Sequence, residues 1–273
     1  SMYETIYIRP ESLSEATALL GEHEEARPLS GGMTLIPTLK QRLAAPTHLV
    51  DLVRLPELRG VQTANGVLRI GASTTHACVA ASPEVSQAIP ALAQLAGIIA
   101  DPQVRNRGTL GGSVANNDPA ADYPSAVLAL GATVVTSARR IAADDFFIDT
   151  FDTALEAGEL ITAIEFPVPE RAAYAKYRHP ASGYAVVGVF IARFPTGIRV
   201  AVTGAGASVF RWLDAESALA ADCSDAAIAA LEMDSSNLPD DANGSAAYRA
   251  HLIKTYTRRA LQALLQPRGV QSN

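Results

Sequence analysis

Along the first 55 residues, segments with the apolar pattern of a β-strand alternate with segments that have the apolar spacing of a helix. Three short runs rich in β-branched or apolar residues predict strands: 2–8, 27–29 and 48–52. Between these runs, a capping box with Ser12 and Glu15 predicts one helix, and apolar residues at helical spacing over 35–43 predict another. Strands alternating with helices, with a glycine turn between two of them, are typical of a small α/β unit with parallel pairing.

From Gly60 onward the pattern changes. Strands are predicted at 67–70, 133–136 and 160–166 and helices at 90–99 and 124–130. A long polar stretch over 101–123 interrupts them, and we expect its segment 103–107 to be irregular.

Pro167 and Pro169 mark the next boundary. Three runs separated by Gly183 and Pro195-Thr196-Gly197 predict an antiparallel meander: 174–179, 184–194 and 198–203. The remainder is helical, and the last helix carries one apolar face. The pattern therefore predicts three domains: an α/β lobe over 1–55, an α+β domain over 56–170, and a three-stranded sheet with helices over 171–273.

Composition excludes several classes of protein. The 273 residues are 48% apolar, enough to bury a sizeable core, and carry a net charge of -6, which argues against a nucleic-acid partner. No stretch of the sequence is long and apolar enough to span a membrane, and no basic-plus-apolar signal segment opens it. We therefore expect a cytoplasmic protein.

Cysteine and histidine, the usual ligands of zinc and of iron–sulfur clusters, are few and scattered along the chain. Cys78 and Cys223 are far apart, and the five histidines show no zinc-binding spacing. An iron–sulfur cluster takes four ligands, so this chain is expected to hold neither a cluster nor another metal. Any redox chemistry must then come from an organic cofactor.

Two glycine pairs stand out: residues 29–34 (LSGGMT) and 109–113 (TLGGS). Paired glycines permit backbone conformations in which successive N–H groups converge on an anion, and the flanking hydroxyls can donate as well. Two such loops suit a ligand with two phosphates, and we expect Gly112 to adopt a positive φ for this purpose. Either pair can also be an ordinary turn.

Two common nucleotide-binding loops are excluded. The chain has no GxxxxGK[ST] segment. Gly204-Ala205-Gly206 follows a strand, but Val209 stands where a dinucleotide-binding fingerprint has its third glycine. This segment is interpreted as a tight strand end.

Both glycine segments, together with 103–107 (QVRNR) and 116–124 (NNDPAADYP), closely resemble the FAD-binding medium subunit of molybdenum hydroxylases. This is the family of the carbon monoxide dehydrogenase medium subunit and the xanthine dehydrogenase FAD domain. Residues 71–76, 178–188 and the last helix add to a resemblance that covers essentially the whole chain. It implies an α+β fold: a two-lobed FAD-binding unit of the PCMH type, followed by an antiparallel sheet with helices.

The resemblance also implies a site for non-covalently bound FAD, with its pyrophosphate at the two glycine loops and with Asp122, Lys176 and two isoleucines near the rest of the cofactor. Thr34 keeps the hydroxyl of the commoner serine, whereas Met33 replaces a polar residue of the family pattern. The implied cofactor-binding residues are Leu29, Ser30, Gly31, Gly32, Met33, Thr34, Leu35, Ile99, Thr109, Gly111, Gly112, Ser113, Asn116, Asp118, Asp122, Ile161 and Lys176. No residue is expected to be catalytic, because the flavin is the redox centre, and no residue is expected to bind a metal.

Several of these positions have a second interpretation. Asp122 precedes a predicted helix and is a favoured type of helix cap. Lys176 lies in a predicted strand and can be a solvated surface residue. His76 is either a neighbour of the flavin or a structural histidine, and Tyr184 either stacks on the flavin or belongs to the core. Arg105, in the segment 103–107 that is our candidate for a partner contact, can also be an ordinary surface charge.

The resemblance implies a function in a complex. A molybdenum–pterin subunit oxidises the substrate, a subunit with 2Fe-2S clusters relays electrons, and this chain passes them through FAD to a terminal acceptor. Two alternatives stay open. One is a stand-alone FAD oxidoreductase, for which only His76 is a candidate covalent attachment point; the other is a non-catalytic nucleotide-binding module in which the glycine loops are turns.

Overall fold

The computed structural model describes residues 4–33, 35–41 and 44–267. The chain begins with a parallel sheet of three strands in the order β1-β3-β2. Its elements are β1 (Ile6–Ile8), α1 (Leu13–Glu22), β2 (Ala26–Leu29), α2 (Leu35–Lys40) and β3 (His48–Asp51). The predicted cap is present, because the Ser12 hydroxyl accepts from the Glu15 N–H at 3.1 Å.

A second, five-stranded antiparallel sheet follows, in the order β4-β5-β10-β6-β7. Its strands are β4 (Val61–Ala64), β5 (Val67–Gly71), β6 (Thr133–Thr136), β7 (Arg140–Ala142) and β10 (Ile161–Pro167). A 3-10 turn at Pro56–Leu58 precedes it, and the small hairpin of β8 (Phe147–Asp149) and β9 (Asp152–Thr153) lies beside it. The edge strands β4 and β7 were not predicted; both are three or four residues long and mostly exposed, so they lack an apolar pattern.

Seven short helices belong to this middle part of the described chain: α3 (His76–Ala81), α4 (Pro83–Ala88), α5 (Pro90–Gly97), α6 (Pro102–Arg107), α7 (Leu110–Asn116), α8 (Tyr123–Ala129) and α9 (Ala143–Phe146). The prediction that 103–107 is irregular was wrong, because these residues belong to α6, and α7 was not predicted either. Asp101 caps α6 by accepting from the Val104 N–H at 3.0 Å, and proline occupies the first turn. These capping signals act without an apolar face, which is why hydrophobic periodicity missed them.

The third sheet is antiparallel in the order β11-β12-β13-β14. The sequence predicts three of its strands, and the structure adds a two-residue fourth. The elements are β11 (Arg171–Arg178), β12 (Ala185–Phe194), β13 (Gly197–Thr203), β14 (Phe210–Arg211), α10 (Leu213–Ala221), α11 (Asp225–Ala229) and α12 (Ala246–Leu265). The proposed domain limits at 55 and 170 stay a prediction, although each falls between sheets.

Strand β12 is apolar along almost its whole length because both faces of the third sheet are covered. Val189 and Ile191 point to the core formed with α10 and α12, whereas Phe190 and Ala192 point to the core of the middle sheet. Helix α8 packs on that second face, and all seven of its residues are buried. The third sheet and the middle part therefore share one continuous core, which fixes their relative position.

Asn117, directly after α7, ties three segments together. It is fully buried in the left-handed region, with φ +44°. Its side-chain amide donates to the carbonyls of Asp149 and Asp152 at 2.9 and 3.0 Å and to the Ser208 hydroxyl at 3.1 Å. This one side chain therefore connects the end of α7 to the β8–β9 hairpin and to the loop after β13.

We expect Asn117→Ala to lower the free energy of unfolding by about 2–4 kcal/mol. Alanine leaves the carbonyls of Asp149 and Asp152 without this donor and is disfavoured at positive φ. The matched control is Asn65→Ala, because Asn65 also has positive φ, +52°, but is exposed in the β4–β5 turn. That variant is expected to lose only about 1–2 kcal/mol. Urea unfolding followed by circular dichroism measures both, and equal losses would contradict a linking role for Asn117.

Candidate functional site

The first glycine loop connects β2 to α2. Gly32 has φ +73°, a conformation that side chains rarely adopt. Among the described residues, the N–H groups of Gly31, Gly32 and Met33 have no hydrogen-bond partner. The loop therefore presents successive unpaired donors directly before a helix, the arrangement that favours an anion. Thr34, the remaining predicted residue of this loop, lies outside the described residues.

The second glycine segment is built differently. Thr109 is the N-cap of α7, and its hydroxyl accepts from the Gly112 N–H at 3.2 Å. The N–H groups of Leu110 and Gly111 donate to the carbonyls of Thr74 and Ala72 at 3.1 and 2.8 Å. The glycines are thus part of a capped helix start rather than a free nest. The expectation of a positive φ at Gly112 was wrong, because Gly112 lies within α7 and needs no such angle.

The two loops touch each other. A Cβ on Gly31 would lie 2.0 Å from the carbonyl oxygen of Arg107, so only glycine allows this approach of two backbones. Next to it, the hydroxyls of Ser30 and Thr109 are joined by a hydrogen bond of 2.9 Å. The parallel sheet and the middle part of the chain therefore meet at their glycine segments.

A cleft of about 690 Å³ runs along this junction. Its volume lies in the range of about 300–1,000 Å³ common for small-molecule sites. Every predicted cofactor-binding residue that the structure describes lines it, except Lys176. The lining residues among those predicted are Leu29, Ser30, Gly31, Gly32, Met33, Leu35, Ile99, Thr109, Gly111, Gly112, Ser113, Asn116, Asp118, Asp122 and Ile161.

Lys176 does not line the cleft itself but forms a buried ion pair with Asp122, which does. The two side chains are 2% and 3% exposed, and the Lys176 ammonium lies 3.0 Å from the carboxylate. The Tyr174 hydroxyl donates to the same carboxylate at 2.6 Å. Burial raises the pKa of Asp122 and lowers that of Lys176, while their mutual attraction opposes both shifts. The alternatives of a solvated lysine and of a helix-capping aspartate are therefore wrong, since the Asp122 side chain makes no cap bond.

His76 is enclosed at the start of α3, where it also lines the cleft. Its ring centroid lies 5.2 Å from that of Tyr123, and a Cβ on Gly108 would meet its Nε2 at 2.7 Å. Nδ1 is buried without a hydrogen-bond partner among the described residues. Burial, with a smaller contribution from the Arg105 charge, lowers the pKa of His76 to about 4, so the ring is neutral at pH 7.

Sequence reasoning missed one wall of the cleft, formed by Leu155, Glu159 and Leu160 before β10. The Glu159 carboxylate accepts two bonds from the Arg139 guanidinium, at 3.0 and 3.1 Å, and one from the Thr136 hydroxyl at 2.6 Å. The arginine holds the pKa of Glu159 at about 2. No local pattern signals this wall, because it depends on pairs 20 or more positions apart in sequence. Tyr184 was considered but not predicted; it lines the cleft and is 44% exposed.

These features define a class of protein: an α+β protein with a long cleft between two lobes and phosphate-type loops at its middle. Residues 1–169 match the family described as the FAD binding domain in molybdopterin dehydrogenase. The chain belongs to this family. It is a FAD-binding medium-type subunit of an oxidoreductase, and the predicted family, fold class and FAD cofactor are confirmed.

Individual relatives extend the similarity over nearly the whole chain. The carbon monoxide dehydrogenase medium chain of Hydrogenophaga pseudoflava is 35% identical and covers 94% of this chain and 96% of its own. The glyceraldehyde dehydrogenase medium chain of Sulfolobus acidocaldarius is 35% identical, covering 95% and 98%. The structure of reconstituted CO dehydrogenase from Oligotropha carboxidovorans superposes with a TM-score of 0.89 at 32% identity, covering 97% and 98%.

The described residues fit FAD on structural grounds. The unpaired donors at Gly31 and Gly32 suit phosphate oxygens, and the cleft extends to both sides of them. The lining combines apolar side chains, among them Leu155, Leu160 and Ile161, with polar groups of Asp122 and Tyr184. Such a mixed lining suits a ligand with flat rings and a polar chain between them.

We expect Gly31→Ala to weaken FAD binding by at least about tenfold, because the added Cβ collides with the Arg107 carbonyl and must push the loops apart. Titration of the apoprotein with FAD, followed by flavin fluorescence, measures the effect. Gly21→Ala is the matched control, since nothing lies within 4 Å of its Cβ and the residue is in α1. Unchanged affinity in a folded Gly31→Ala protein would show that the junction does not shape the site.

The buried His76 predicts a pH dependence of stability. Its pKa is about 4 in the folded protein and about 6.5 when unfolded, so the unfolded state binds an extra proton between these values. Stability is therefore present in full above pH 6.5 and falls by up to about 3 kcal/mol as the pH drops toward 4. The free energy of unfolding, measured with urea between pH 7 and 4.5, should depend less steeply on pH for His76→Gln than for the wild type. The exposed His251→Gln should keep the wild-type slope.

Proposed function

We propose that FAD lies extended in the cleft with its pyrophosphate at the junction of the two glycine loops. The observation that carries this proposal is the 2.9 Å contact between Ser30 and Thr109, which brings unpaired N–H donors and a helix start together at the middle of the cleft. The N–H groups of the first loop bind phosphate oxygens. The dipole of the short helix α7 adds a smaller attraction from the other side.

The isoalloxazine ring is assigned to the end with Ile99, Asp122 and Tyr184. The polar atoms there suit the ring and the ribityl hydroxyls, and Lys176 holds the Asp122 carboxylate in place from behind. The adenine is assigned to the apolar end near Leu155 and Ile161. When bound, FAD supplies reversible electron transfer, while the protein orients the ring and tunes its environment.

We further propose that the chain is the electron-transfer subunit of a multi-subunit dehydrogenase. A molybdenum–pterin subunit supplies electrons to the 2Fe-2S clusters of a second partner subunit. This chain takes the electrons from those clusters and passes them to a terminal acceptor. The chain has two cysteines, fewer than the four ligands that a cluster needs, so on this proposal the clusters belong to another chain. The segment 103–107, which forms most of α6 and is largely exposed, remains our candidate partner contact.

The relatives favour this proposal over a stand-alone oxidase. They are named as the medium chains of dehydrogenases for compounds as different as carbon monoxide and glyceraldehyde. Such different substrates are best explained if substrate binds to another subunit. His76, the one candidate for a covalent flavin link, is enclosed against Tyr123 and Gly108, which supports non-covalent binding. No helix in the described part of the chain is long and apolar enough to cross a membrane.

We expect the FAD-loaded chain alone to show less than about 1% of the substrate turnover of the reassembled complex. The reason is that electrons must enter through the partner subunits, since the flavin cleft is occupied by the cofactor itself. The measurement is dye reduction after mixing the chain with its iron–sulfur and molybdenum subunits.

Two controls separate loss of function from loss of cofactor. Chemically reduced chain should pass electrons to the dye without partners, and acid precipitation should release intact FAD. Turnover of a defined organic substrate by the chain alone, at the rate of the complex, would contradict the subunit proposal in favour of a stand-alone oxidase.

A further inference from the structure

Three consecutive carbonyl groups at the end of α5 all face cations. The Ile98 carbonyl accepts from Lys176 at 3.3 Å and from Arg178 at 3.4 Å. The Ile99 carbonyl accepts from Arg105 at 2.9 Å. The Ala100 carbonyl accepts from Arg178 at 2.6 Å and from Arg105 at 3.1 Å. We call these three side chains and the turn 98–100 the cation clamp.

The turn needs such a clamp. Ala100 has φ +45°, in the left-handed region that is unfavourable for a residue with a Cβ. The turn also sits at the C-terminal end of α5, where backbone carbonyls are unpaired and the helix dipole attracts positive charge. The cations therefore stabilise a backbone conformation that the sequence of the turn does not favour by itself.

The three side chains of the clamp come from two separate elements of the fold. Arg105 comes from α6, whereas Lys176 and Arg178 come from the end of β11 in the third sheet. Lys176 is neutralised by its pair with Asp122. Arg105 and Arg178, in contrast, form no ion pair with a carboxylate among the described residues. Two positive charges without a direct ion-pair partner among the described residues thus lie at the 98–100 turn.

The turn forms part of the cleft wall, with Ile99 lining it. Gly183, in the loop before β12, has φ +73° and lies close to the clamp. A Cβ at this position would lie 2.8 Å from the Arg178 guanidinium and 3.4 Å from the Ala100 Cα, so glycine allows the loop to approach the clamp this closely. Tyr184 follows directly in that loop and lines the same end. Arg178, although exposed, therefore contacts both the 98–100 turn and the loop before β12.

We propose that Arg105 and Arg178 are positioning residues for the flavin: they fix the 98–100 turn against the ring and raise the reduction potential of bound FAD. This inference rests on the proposed placement of the ring at the Ile99 end. A reduced flavin carries more negative charge than the oxidised one, so nearby uncompensated cations favour reduction. Neither arginine donates a hydrogen bond to either glycine loop among the described residues, so we expect neither to be needed for phosphate binding.

The test uses FAD-loaded full-length protein with Arg178→Gln and Arg105→Gln, whose side chains lose the charge and most of the donors. At a fixed potential we expect the ratio of reduced to oxidised flavin to fall by about three- to tenfold, which is a shift of about 15–30 mV for a two-electron couple. Iodide quenching of flavin fluorescence should increase, because a loosened turn exposes the ring. FAD affinity should change by less than about threefold.

Arg178→Lys separates charge from geometry: it keeps the charge but lacks the two nitrogens with which Arg178 reaches the Ile98 and Ala100 carbonyls, so it should retain most of the potential and still increase quenching. Arg258→Gln is the control, since Arg258 pairs with Asp225 on the surface of α12 and should change neither readout. Wild-type potential and quenching in both Gln variants would overturn the proposal. Loss of FAD from well-folded Gln variants would also overturn it, by making the clamp a determinant of affinity. A wild-type chain that binds no FAD would instead contradict the proposed function.

Discussion

The close approach of two backbones at Gly31 is the contact on which the site depends. Any side chain there would overlap the Arg107 carbonyl, so this approach of the two backbones requires glycine. The hydrogen bond between Ser30 and Thr109 then sets the register of the two loops. The cleft lies at this contact, and the glycines of both loops line it.

Much of the site could be predicted because its chemistry is local in sequence. The glycine segments, their hydroxyls and the acidic residues after them are contiguous, and almost all of them line the cleft. The Leu155–Leu160 wall could not be predicted, since it is assembled from residues that are distant in sequence. The charge state and burial of Lys176 depend on Asp122, more than 50 positions away, and a strand pattern does not show such a pair.

The errors in the secondary structure have a common cause. Helices α6 and α7 are only six and seven residues long, and Asp101 and Thr109 cap their first turns. A search for apolar periodicity passes over helices that are held by caps and by neighbouring backbone. The same caps explain why Gly112 takes a helical conformation. Strands β12 and β13, in contrast, were predicted well because burial on both faces makes them apolar throughout.

The difference between the two glycine loops has a consequence for how the protein acquires its cofactor. The donors of the second loop are satisfied within the protein, so that half is fully formed before any ligand arrives. The donors of the first loop have no partner among the described residues, so that half completes its hydrogen bonds only with an anion present. One half of the phosphate site is therefore preformed, and the other half gains its hydrogen bonds when the ligand binds.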